Sequence, residues 1–208
     1  MRIMNDPYGL NPEGERQGPD SAEGFGVRFD DQFDQWTAPF VMAPLDTKVV
    51  RRTNALLGYP YGRDFCYGEA TLMGKGGLAA AKAVATAVGT VATMGAMAIG
   101  PLRRLLASRL PQPGEGPSKE KRERGYFDLR LIADHPSDPG KQLRGRVTGD
   151  RDPGYGSTSK MLAESALCLA RDEIEERGGF WTPASAMGVP LLERLQKSAG
   201  LTFEILEA

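Results

Sequence analysis

The stretch Gly74–Leu110, "GKGGLAAAKAVATAVGTVATMGAMAIGPLRRLLASRL", decides between two folds. Gly74, Gly76 and Ala79 fit G-x-G-x-x-A after a strand-like run and before a helix. In a dinucleotide fold such glycines let backbone amides approach a pyrophosphate at the helix start. That fold also needs a second parallel strand soon after the helix, and an acid about 20 residues beyond the glycines to hold the ribose. Here the chain at that distance still reads "TVATMGAMAIG", without Asp or Glu, and the next good strand pattern begins near Tyr126. The glycine pattern lacks its βαβ unit. Taken with the strand and helix patterns along the rest of the chain, the expected fold is α+β: a mixed or largely antiparallel sheet with helices packed on it, one long Ala/Gly-rich helix over 74–110, and no Rossmann domain.

The same stretch carries no charge from Ala83 to Leu102, a length that would just cross a bilayer core needing about 20 residues. Yet it is mostly Ala, Gly and Thr, which are close to neutral for insertion. Three readings stand: a membrane span, a helix lying at a lipid surface, and a helix packed on protein through small residues that admit a close neighbour. Arg103, Arg104 and Arg109 follow, and they suit either a helix C-terminus or lipid headgroups.

Towards the C-terminus, "PQPGEGPSKEKRERG" (111–125) reads as a charged, Pro/Gly-rich linker. The pattern then changes to period two. Phe127, Leu129 and Leu131 fall on one face, and Tyr126, Asp128 and Arg130 on the other. "HPSDPG" turns the chain and "KQLRGRVTGD" returns it as a hairpin, with His135, the only histidine, in the turn. A helix follows, capped by Ser157 or Thr158, burying Met161, Leu162, Leu167, Leu169 and Ile174, and ending at Gly178-Gly179. Thr182-Pro183 starts another helix, "VPLLERLQKSAG" repeats that logic with Pro190 and Gly200, and "LTFEIL" is a final strand. Towards the N-terminus, "RDFCYGEATLM" favours a strand with Phe65 and Tyr67 on one side. Before it, a helix capped by Asp46 or Thr47 runs to Gly58, and residues 1–26 form an irregular polar lead.

Composition narrows the function classes. Hydrophobic content of 40% and charged content of 25% are ordinary for a folded soluble protein, and a net charge of -1 gives no field for nucleic acid. Cys66 and Cys168 match no metal spacing and read as reduced thiols, and the N-terminus lacks a signal-peptide pattern, so a cytoplasmic protein without metal is expected. A second phosphate-like pattern, "TGDRDPGYGSTSKM" (148–161), fails on chemistry: Ser159 stands where a P-loop needs glycine, and Met161 where it needs a hydroxyl. What remains is a tight turn with amides and hydroxyls at a helix start, which either orients a carboxylate or phosphate or simply caps the helix. No nucleophile elbow or zinc motif accompanies it.

Longer motifs carry a resemblance. "DPGYGSTSKMLAESALCLA" with "GGFWTPASAMGVPLLERLQKSAGLTFEI", and "WTAPFVMAPLDTKVVRRTNALLGYPYGRDFCYGEA" with the Gly/Ala-rich helix and "PGEGPS", resemble the C-terminal and central parts of saccharopine dehydrogenase-like oxidoreductases. The branch resembled most is that of the actinobacterial trans-acting enoyl reductases. The resemblance implies a two-domain enzyme: an N-terminal Rossmann domain binding NAD(P), then an α+β domain that covers the cleft and shapes the substrate pocket. Residues 1–208 are then expected to be that second domain alone, truncated, without a cofactor of its own and inactive by itself. The implied reaction is reduction of a lipid or polyketide-type intermediate. On this reading Tyr155, Ser157, Thr158 and Lys160 orient a polar group of a lipid-like substrate, with Arg63 and Trp36 as further pocket residues. Partners expected with it are a membrane or lipid surface and a second copy in a homodimer, with a place at the inner face of the plasma membrane. The alternative is a non-catalytic, membrane-associated or partner-binding protein that uses the Ala/Gly-rich helix.

Overall fold

A computed structural model describes residues 6–20, 26–110, 114–175 and 178–206. Residues 1–5 and 21–25 of the predicted lead, and 111–113 of the predicted linker, lie outside the described residues. The chain gathers into two compact units, Met1–Gln112 and Pro113–Ala208, whose boundary falls in the stretch read as a linker. The architecture is α+β, as expected. Among the described residues there are two three-stranded sheets and six helices, and every strand pair is antiparallel.

The first unit contains β1 (Arg28–Asp30), β2 (Gln35–Pro39), α1 (Ala43–Leu56), β3 (Ala70–Gly74), α2 (Gly76–Ala98) and α3 (Gly100–Ala107). The sheet order is β1-β2-β3. The strand expected across 63–73 is shorter: Phe65 and Tyr67 precede β3, with their rings stacked at 6.1 Å. Helix α1 starts before Asp46 and Thr47, because Pro44 sits in the first turn, where a missing N–H costs nothing. Thr47, instead of capping, donates its hydroxyl to the Ala43 carbonyl at 2.7 Å. The buried face of α1 is polar. Its Arg51 binds Asp20 at 2.5 Å, the Tyr67 carbonyl at 2.7 Å and the Pro7 carbonyl at 3.3 Å, while Asn54 donates to the Gly62 carbonyl at 2.9 Å. Two loops are thereby fixed to one helix by side-chain hydrogen bonds, the usual way to satisfy buried loop carbonyls.

Helix α2 lays Ala79, Ala83 and Ala87, one turn apart, against β2 and β3. Alanine at those positions leaves only a methyl between helix and sheet. A strand of five residues spans roughly 17 Å and a helix of 23 residues roughly 34 Å, so the sheet covers only the first half of α2. The helix does not run on to 110. Pro101 lacks the N–H that would continue the ladder, Ile99 is extended (φ -98°, ψ 115°), and α3 starts afresh.

The second unit contains α4 (Lys119–Arg124), β4 (Phe127–His135), β5 (Asp138–Gly149), α5 (Gly156–Arg171), α6 (Pro183–Ser198) and β6 (Leu201–Leu206), with sheet order β4-β5-β6. The expected hairpin forms, with a tighter turn than expected: His135 is the last residue of β4, paired with Asp138, and its Nδ1 accepts the N–H of Ser137 in the turn at 3.2 Å. Leu129, Val147 and Phe203 stand side by side across the three strands. On the other face Arg146 grips Asp128 at 3.0 and 3.1 Å. Helix α5 ends at Arg171, well before Gly178, because Asp172 turns extended and binds Arg194 at 2.5 and 2.6 Å. The core residue of α5 is Cys168, packed with Met187 and Leu191, whereas Leu162 and Leu169 are exposed. Thr182 and Ser185 form a reciprocal capping box for α6, which Gly188 (φ 42°, ψ -124°) and Pro190 divide into two pieces.

Candidate functional site

The turn before α5 brings together the four residues singled out there, and the structure gives each a distinct task. The Asp152 carboxylate accepts the N–H groups of Gly154 (3.1 Å), Tyr155 (3.0 Å) and Gly156 (2.8 Å). These bonds, that from Gly156 foremost, hold its carboxyl below the usual range. Neither Ser157 nor Thr158 caps the helix. Asp152 does, from outside it: its carboxylate takes the Gly156 amide and its backbone carbonyl takes the Ser157 amide at 2.8 Å, so the first two amides of α5 already have partners within the chain. Ser157 is fully buried and donates to the Arg151 carbonyl at 3.1 Å, and Thr158 donates to the Pro153 carbonyl at 2.5 Å. Lys160 pairs with Asp150 at 3.1 Å. Tyr155 is different: it is exposed, and it lines a half-open cleft of about 310 Å³ with Gly114, Glu115, Gly116, Pro117 and Arg122.

That cleft exists because two glycines let 114–125 lie directly on the turn. A Cβ on Gly125 would stand 2.4 Å from the Asp152 Cβ, and one on Gly156 would stand 2.8 Å from the Arg122 carbonyl oxygen. The Asp152 N–H also donates to that carbonyl, at 3.1 Å. The sequence signal for this arrangement is the spacing of Gly125 and Gly156, which reads as ordinary turn glycine until the close approach is seen.

The sheet of the second unit offers a larger surface. The face carrying Phe127, Leu129 and Leu131 stays open along its outer half, where Leu129, Leu131, Leu143 and Ile205 are all exposed. Phe127 lies over Gly149, where an added Cβ would meet its ring at 2.1 Å, and Leu131 lies over Gly145. The period-two alternation identifies which residues share this face. It does not say that the face remains uncovered.

Arg63 and Trp36 belong to the first unit and have separate partners. Arg63 binds Glu15 at 2.8 Å and stacks 4.0 Å above the Tyr59 ring, while Tyr59 donates to the same carboxylate at 2.6 Å. Arg63 and Tyr59 together hold the Glu15 carboxyl below its usual range. Trp36 meets Phe29 edge to face at 5.6 Å. Glu15 and Tyr59 were missed by motif reading because they lie 44 residues apart and match no pattern.

The Gly74–Gly76 turn does not form a dinucleotide crevice. Both glycines take positive φ (94° and 80°), but β3 is the edge of an antiparallel sheet and Lys75 is ion-paired with Asp34. A pyrophosphate crevice needs a parallel neighbour at the strand's C-terminal end, and the described residues supply none. Nor do they contain a His, Cys, Asp or Glu cluster with metal-binding geometry.

Comparison with known proteins places the chain beside one group. It is 39% identical over 214 residues to a candidate trans-acting enoyl reductase of Mycobacterium tuberculosis, covering 98% of this chain and 50% of that protein. It is 40% identical over 168 residues to a trans-acting enoyl reductase of Mycobacterium bovis, covering 77% of this chain and 39% of that one. To that of Mycobacterium ulcerans it is 34% identical over 212 residues, covering 95% and 49%. The chain thus spans about half the length of the relatives it matches. No protein-family profile matches it, and no solved structure does.

Proposed function

We propose that this chain, homologous over nearly its whole length to about half of the mycobacterial trans-acting enoyl reductases, is the substrate-side part of such a reductase. The reaction it serves is reduction of an activated double bond in a lipid or polyketide-type intermediate, with NAD(P)H held by a segment of saccharopine dehydrogenase-like type outside these residues. The observation that carries the substrate side is the open apolar sheet face. Leu129, Leu131, Leu143 and Ile205 form a continuous patch on a rigid three-stranded support, which suits an acyl chain better than a polar metabolite. The cleft at Tyr155 and Arg122 then takes the polar end of the substrate. Asp152, Ser157, Thr158 and Lys160 keep the turn in shape instead of touching the ligand.

Titrating the chain with a long-chain trans-2-enoyl pantetheine thioester, followed by NMR, tests this. Saturable binding is expected, weakened about tenfold by Leu131→Asp, the equivalent of roughly 1.4 kcal/mol. Absence of binding, or binding that Leu131→Asp and Leu143→Asp leave unchanged, would overturn the reading.

A further inference from the structure

The second half of α2 and the whole of α3 have no partner within their own unit that covers them. Beyond the sheet, every residue from Val91 to Leu105 is exposed except Ala96, which is half-buried. Val91, Met94, Met97, Ile99, Leu102 and Leu105 are between 42% and 55% exposed. At 3.6 residues per turn Val91, Met94 and Met97 lie within an arc of about 120° on α2, and the residues between them are Ala, Gly and Thr, so the free end shows one broad apolar face with no charge on any side. A face of this kind suits either lipid or a protein groove.

Charge selects between these. The chain as a whole has 27 acidic residues against 26 Lys and Arg, yet none of the acids lies between Glu69 and Glu115. The same stretch holds Lys75, Lys82, Arg103, Arg104 and Arg109. Arg103, Arg104 and Arg109 stand exposed just where the apolar run ends, among Leu102, Leu105 and Leu110. Apolar side chains followed by uncompensated arginines are complementary to an acyl region beneath a layer of negative headgroups.

We propose that Val91–Leu110 is a docking surface for an anionic lipid bilayer, lying in its interface. It does not cross it. The free run from Val91 to Leu102 is broken at Ile99 and would reach only roughly 18 Å as unbroken helix, against roughly 30 Å of hydrocarbon, and the first half of α2 is held on the sheet through Ala79, Ala83 and Ala87. The surface is present whatever reaction the chain serves.

Flotation of the full chain with vesicles of phosphatidylcholine, and of phosphatidylcholine with phosphatidylglycerol, tests the proposal. The chain is expected to float with the anionic vesicles and to be released by high salt. Arg103→Gln with Arg104→Gln should lower the partition about 30-fold, on the basis of one headgroup attraction per arginine. Val91→Glu with Met94→Glu should abolish it. All four side chains are exposed, so both variants keep the fold, which circular dichroism verifies. A chain that ignores both vesicle types, or anionic binding unchanged in both variants, overturns the proposal. So does a chain that forms dimers dispersed by the Val91→Glu, Met94→Glu variant without binding vesicles, which would make the occupant a second copy.

Discussion

At the scale of single residues, the turn before α5 depends on Asp152. Its carboxylate serves three amides, so Asp152→Ala leaves all three without a partner, and a fall of several degrees in the thermal midpoint is expected. Asp152→Asn, which keeps an acceptor, should lose less, and differential scanning calorimetry separates the two. Asp172 gives a pH dependence. The Arg194 guanidinium lowers its carboxyl from 3.8 to about 2, so the ion pair stabilises the fold above pH 3.8 and is lost as pH falls from there towards 2. Thermal melts across that acid range should show a loss that Asp172→Asn reduces. Part of this was legible. The run "DPGYGSTSK" identifies a turn and a helix start, and an Asp before Pro-Gly is a known turn former. Which acid reaches which amide depends on how the chain folds back, and Ser157, Thr158 and Ser159 are equally good caps by residue type alone.

Among the elements, the two long helices show how packing overrides local pattern. Ala83 is fully buried between α2 and the sheet, so Ala83→Leu should cost about 2 kcal/mol by overpacking, whereas Val88→Leu on the open side should be neutral to about 0.5 kcal/mol. Urea midpoints would show whether the contrast holds. Gly188 offers a purely conformational test. An added Cβ there meets nothing within 4 Å, yet φ 42° with ψ -124° suits glycine alone, so Gly188→Ala should destabilise by about 1–3 kcal/mol. Element types were mostly readable from period and caps: the hairpin, the Thr182-Pro183 start and the final strand all stand where the sequence puts them. Element ends were not. Pro101 and Asp172 stop α2 and α5 early, the first through a missing donor and the second through an ion pair 22 residues distant in sequence.

For the whole molecule, the α+β class followed from the hairpin and helix patterns together with the family resemblance, whereas the pairing of β6 with β5 spans more than 50 residues and leaves no local trace. The division into Met1–Gln112 and Pro113–Ala208 predicts that limited trypsin digestion cuts after the exposed Arg109 or in the exposed stretch beginning at Lys119, giving two fragments that resist further cleavage. Progressive degradation without such fragments would contradict it. The carboxylate of Asp152 has a wider consequence. A tethered carboxylate competes at an effective concentration of millimolar or more, so a free anion reaches the Gly156 amide at the start of α5 only by displacing it. The turn's own carboxylate stands where such an anion would sit, and added sulfate should raise the melting of Asp152→Ala by more than that of the parent, which gains only the general stabilisation by an excluded salt.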